Sequence, residues 1–238
     1  MDKNKVMLRG VVQKVTTVEQ KKTSVIISTL NATPKVNYPE VLFLGDNIEI
    51  GAKLQRGDHV TIECHVQSFK RQNEGHNFVI QKLVADNVKR TSYIMEDMFN
   101  VKDGRYQPPI NMVALEGSLI YIKKVTDTLV NLIIGVTVNG YFNKVKVCYY
   151  LPVEKIDKFL NSVYAGAPIC VTGSYQTSYK KNQAGQMARY ENIVVDMVHI
   201  GDKEEKMPSE SADIDVSPQA VEVKQVSTPA TNVIHVVG

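Results

Sequence analysis

Apolar and β-branched residues recur in short alternating runs through most of the chain. Residues 6–15, 23–30, 36–44, 59–68 and 78–88 each show this pattern, with turn-forming residues between them. Such runs predict strands with one face in a core and one face outside. Residues 46–54 separate the third run from the fourth and are long enough for a short helix or an irregular crossover. Gln72-Asn73-Glu74-Gly75 predicts a hairpin turn between the fourth and fifth.

The same order returns after Pro108-Pro109. Residues 114–125, 129–138, 142–151, 169–178 and 189–199 predict five more strands. Between the third and fourth of these, Val153, Ile156, Phe159 and Leu160 fall at helical spacing. Asn182-Gln183-Ala184-Gly185 repeats the hairpin signal. Leu8-Arg9-Gly10 matches Leu115-Glu116-Gly117, Phe69-Lys70-Arg71 matches Tyr179-Lys180-Lys181, and Leu83-Val84-Ala85-Asp86 matches Ile193-Val194-Val195-Asp196. The chain therefore reads as one β module written twice.

Five strands with a helix or crossover between the third and fourth are the plan of the OB fold, a small Greek-key barrel; other small β-barrels are its competitors. The expected architecture is all-β. It has an OB-fold domain at 1–90, a linker at 91–110, a second OB-fold domain at 111–201 and a disordered acidic tail at 202–238. A short strand within residues 233–237 is a further expectation.

Composition narrows the function classes. The chain has 238 residues, 43% hydrophobic and 22% charged, as in ordinary globular proteins. No run approaches the length of a membrane span, and the N-terminal stretch lacks the features of a secretory signal. The three cysteines, Cys64, Cys148 and Cys170, are odd in number and widely spaced. They are expected to be free thiols in strands, and the protein to be cytoplasmic. The net charge of +3 is uneven. Residues 202–238 hold seven acids against three lysines, a net −4, which leaves +7 for residues 1–201. A basic body suits a polyanionic partner, or simply solubility.

No phosphate-binding loop or dinucleotide fingerprint is present, so no enzyme activity and no cofactor are expected. Cys64 and His65 are neighbours on a strand and point to opposite faces, which argues against a metal shared by Cys64, His65 and His59. Alternation places Phe142, Lys144, Lys146, Cys148 and Tyr150 on one strand face, and Val145, Val147 and Tyr149 on the other. Rings on which bases stack, interleaved with cations for phosphates, are what a single nucleic-acid strand requires. An ordinary solvated strand face is the competing reading. In the first module Tyr38 is the stacking candidate, with Glu40 beside it, while Phe43 is assigned to the core. Phe69, Lys70 and Arg71, and Tyr179, Lys180 and Lys181, lie on hairpins that can reach phosphates. Arg189 and Lys82 are expected to add charge from the fifth strands.

Several segments resemble the bacterial and phage single-stranded DNA-binding proteins. They are the opening Asn4-Lys5-Val6-Met7-Leu8-Arg9-Gly10, its weaker copy Asn111-Met112-Val113-Ala114-Leu115-Glu116-Gly117, and the stretch 173–185 continuing through Tyr190-Glu191 to Asp196. The resemblance implies a tandem OB-fold protein that coats single-stranded DNA during replication, recombination or repair. It also implies a dimer, matching the four barrels of relatives that carry one each, and replication proteins recruited through the tail. That family often places tryptophan where bases stack, whereas this chain has none. It commonly ends in Pro-Phe after an acidic tip, whereas this chain ends His235-Val236-Val237-Gly238. An RNA-binding OB protein and a protein-interaction adaptor are the alternatives.

Overall fold

The computed structural model describes residues 3–18, 21–30, 36–73, 76–91, 109–138, 140–181, 185–201 and 234–235. Most of the expected linker at 91–110 and most of the expected acidic tail at 202–238 lie outside the described residues. The first set of strands is β1 (Lys3–Val18), β2 (Lys22–Leu30), β3 (Val36–Asn37), β4 (Glu40–Phe43), β5 (His59–Asn73) and β6 (His76–Arg90). A 3-10 turn, Gly45–Asn47, and the five-residue helix α1 (Ile48–Ala52) lie between β4 and β5. The second set is β7 (Ile110–Thr126), β8 (Leu129–Val138), β9 (Tyr141–Tyr150), β10 (Pro168–Lys181) and β11 (Met187–Ile200), with α2 (Val153–Ser162) between β9 and β10. A two-residue strand, β12 (Ile234–His235), pairs with β11 at Ala188 and Arg189.

Each set closes on itself. β1 pairs with β2 and β5, β5 with β6, β6 in parallel with β4, and β4 with β2. β7, β8, β9, β11 and β10 close the same ring, with β9–β11 as its parallel step. These are two tandem OB-fold barrels, each with its helix between the third and fourth strands of the ring. Among the described residues no helix is long and apolar enough to cross a membrane.

Local chemistry explains why the repeat has its particular matches. Leu8 and Leu115 are fully buried in the two cores. A Cβ on the glycine two residues later would sit 1.9 Å from the Ser28 carbonyl oxygen at Gly10, and 2.1 Å from that of Gly135 at Gly117. Only glycine lets the first strand bend that close to the second. Asn4 bridges the N–H and C=O of Val66 at 2.8 and 2.7 Å, and Asn111 does the same for Tyr175. Asp86 and Asp196 are the extra residues of two matching β-bulges, on β6 and β11. The Asp86 carboxylate meets His65 Nδ1 at 2.7 Å. Burial disfavours the His65 charge, but the Asp86 carboxylate more than offsets this and raises its pKa. Cys64, next in the chain, points into the core.

The barrels are joined along β1 and β7, which run antiparallel from Lys3 paired with Glu116 to Arg9 paired with Ile110. This creates one six-stranded surface in the order β6-β5-β1-β7-β10-β11. α2 closes the bottom of the second barrel with buried Ile156, and with Phe159 edge-on to Tyr149 at 5.2 Å.

Candidate nucleic-acid interface

β9 alternates from Phe142 to Val147. Asn143, Val145 and Val147 are buried, while Phe142 and Tyr150 are 61% and 56% exposed and Lys144 also faces out. Lys146 is half-buried and Cys148 is largely covered. The Cys148 thiol reaches Asn131 at 3.4 Å, and burial raises its pKa against the opposing pull of Lys146. Across β8, Lys146 pairs with Ile133, Lys144 with Gly135 and Phe142 with Thr137. The Phe142 ring lies over Gly135, where an added Cβ would be 2.7 Å from Cζ.

One strand further on, Tyr121 pairs with Ile133 and Lys123 with Asn131, so both extend this outer face. Neither figures among the residues predicted from alternation. A bulge between Leu119 and Tyr121 resets the alternation, so buried Leu119 and exposed Tyr121 no longer share a face. The unbroken run Leu119-Ile120-Tyr121-Ile122 is the sequence sign of that reset. Tyr141, 73% exposed at the β8–β9 turn, is a second unpredicted ring beside Phe142.

The long hairpins do not stay with their own barrels. The β5–β6 arm of the first barrel lies along β9 of the second. Ser68 N–H donates to Asn143 Oδ1 at 3.0 Å, and the Lys144 N–H donates to Ser68 Oγ at 3.3 Å. The Gln81 amide closes a two-way bridge with the backbone of Lys146, at 2.9 and 3.0 Å. Reciprocally, the β10–β11 arm lies along the first barrel. Thr177 N–H donates to Asn37 Oδ1, and the Tyr38 N–H donates to Thr177 Oγ1, both at 2.9 Å. Each candidate surface is therefore composite.

The predicted residues sort into two groups on this basis. Phe142, Lys144, Lys146 and Tyr150 stand with the arm that carries half-buried Phe69 and exposed Lys70 and Arg71. Tyr38 stands with the arm that carries exposed Tyr179, Lys180 and Lys181. Arg189, expected to add charge from the fifth strand, is instead buried in an ion-pair cluster. It is 5% exposed, donates to the Tyr38 carbonyl and pairs with Glu191, with Glu40 at 4.0 Å. Lys82, 8% exposed, bridges Glu40 at 2.8 Å and Glu191 at 3.1 Å. Both cations are held inside the contact between barrels, where the buried Glu191 carboxylate and the half-buried Glu40 carboxylate need counter-charge. Burial pushes the Glu40 carboxyl upward, yet Lys82, with Ser24 and Arg189, outweighs this and holds it below its usual pKa. Among the described residues Lys123, Lys144 and Lys146 are in no ion pair.

The architecture is that of a two-barrel OB chain with crossed arms. No family model and no curated protein sequence matches it. Among solved structures, a deletion variant of the single-stranded DNA binding protein from Thermus aquaticus shares the fold. The TM-score is 0.58 at 14% identity, over 88% of this chain and 98% of that one. The wild-type protein from the same organism gives 0.57 at 12% identity, over 87% and 96%.

Proposed function

We propose that this chain binds single-stranded nucleic acid, DNA in the first place. In this reading it coats the strand without a base code during replication, recombination or repair. The observation that carries the reading is the outer face of β9. Phe142 and Tyr150 present rings to solvent, Lys144 and Lys146 between them are in no ion pair among the described residues, and a basic arm lies alongside. The names of the Thermus aquaticus structures point to the same ligand class. Stacking and phosphate contact together suffice for sequence-tolerant binding.

Direct titration with labelled single-stranded DNA, RNA and duplex over a salt series tests this. Single strands should bind at low salt, DNA in preference to RNA and duplex. Lys144→Ala and Lys146→Ala should each weaken binding at every sequence and flatten the log–log salt slope by about 0.7 for each phosphate no longer neutralised. An unchanged slope in both variants would refute the assignment of this face. Absence of any oligonucleotide binding at low salt would favour a protein-interaction adaptor.

The chain is further proposed to pair with a second copy, bringing four barrels together. Met7 and Met112 pair across the β1–β7 seam in the middle of the six-stranded surface, next to Ala114. The Lys3–Glu116 and Lys5–Glu63 ion pairs flank them. An apolar centre with a polar rim suits a self-complementary contact. Light scattering should report a dimer, and Met112→Glu should convert it to monomer. A monomer for the unmodified chain at all working concentrations would rule the contact out.

A further inference from the structure

We infer, on the basis of the single-strand reading above, that the two composite surfaces are unequal. The one floored by β7, β8 and β9 is the primary site, and the one floored by β1, β2 and β4 is secondary.

The pairing registers allow the two floors to be compared position by position. In the first barrel Lys14 pairs with Ile26 and Ile26 with Glu40. In the second, Tyr121 pairs with Ile133 and Ile133 with Lys146. Both rows follow a bulge at the same place in the first strand, after Val12 and after Leu119. The rows are therefore equivalent, and Glu40 stands where Lys146 stands. Two rows further along the same face, Val36 opposite Leu30 stands where Phe142 lies opposite Thr137.

The arm that crosses each floor deepens the contrast. Beside Lys146 the first barrel's arm supplies Gln81, a neutral amide bound only to backbone atoms. Beside Glu40 the second barrel's arm supplies Glu191, which is a second acid. Lys82 and Arg189 neutralise that pair, so these four charges cancel and the row leaves Lys14 as its cation for phosphate. On the second floor, among the described residues, no acid pairs with Lys123, Lys144 or Lys146. The arm tips do not reverse this contrast, since Lys70 and Arg71 on one match Lys180 and Lys181 on the other. The floors differ both in free positive charge and in exposed rings, the two quantities that set affinity for a single strand.

The test uses the full-length chain and an oligothymidylate of about eight nucleotides, short enough to occupy one barrel surface. Calorimetric titration at low salt should show one oligonucleotide per chain in the first event, with any second event about tenfold weaker or more. The pair Lys144→Ala with Lys146→Ala should weaken the first event. Tyr38→Ala should act only on the second. Two equal and independent sites per chain would overturn the inference while leaving the single-strand reading intact. So would a first event abolished by Tyr38→Ala and kept in the double lysine variant. No binding of the oligonucleotide at all would instead defeat the single-strand reading itself.

Discussion

Replacing Arg189 with leucine should destabilise the protein by about 3–5 kcal/mol, the range found when one partner of a buried ion pair is removed. The guanidinium is in contact with Glu191 and near Glu40, and all three groups are largely shielded from water. Without it, Lys82 is the remaining cation for two acids, and the Tyr38 carbonyl loses its donor. The uncompensated carboxylate has to be neutralised, or the arm has to lift from the first barrel. Either course costs more than the attraction removed. Taking away Glu191 together with Arg189, both to leucine, should recover a large part of the loss, because it removes charges of both signs. Urea unfolding of the three proteins measures this directly. A loss below about 1 kcal/mol for Arg189→Leu would place the residue in the surface class, where ion pairs are worth that little.

The barrels were legible because most of the long strands have one wet and one dry face. The period of two runs almost unbroken through β2, β8 and β9. Leu-x-Gly and the Asp of the bulge recur because the same backbone problem recurs. What alternation cannot show is a reset of its own phase, and the bulge ahead of Tyr121 is such a reset. It also cannot show which barrel an arm will lie against. Arg189 reads in the sequence as a cation that adds charge from the fifth strand, because it lies across from Tyr179, Lys180 and Lys181 and resembles the lysines in charge. Its position two residues before Glu191 on one strand was the available counter-signal. Residues i and i+2 share a face, and an acid and a base there can satisfy each other. The seam between β1 and β7 left no mark at all, since an edge strand offers the same backbone groups whatever its sequence.

Phe142→Ala should cost about 1–3 kcal/mol in affinity for single-stranded DNA, and Tyr150→Ala a similar amount, with melting temperatures close to that of the unmodified chain. The expectation follows from opposite faces of a single strand. Val145 and Val147 are fully buried, so alanine at either should lower stability first and affect binding only through the fold. Phe142 and Tyr150 are more than half exposed, so their removal leaves little cavity. Phe142 does have one packing duty, since its ring covers Gly135. Two further substitutions separate that duty from stacking. Phe142→Leu keeps apolar cover over Gly135 but has no aromatic face, and should bind as poorly as the alanine variant. Phe142→Tyr keeps the ring and should bind like the original. Fluorescence titration with labelled strands, paired with thermal unfolding of the same samples, reads both quantities. If leucine binds as well as phenylalanine, the ring is packing rather than ligand contact. If alanine at Phe142 or Tyr150 unfolds the protein, the binding face of β9 has been assigned to the wrong side.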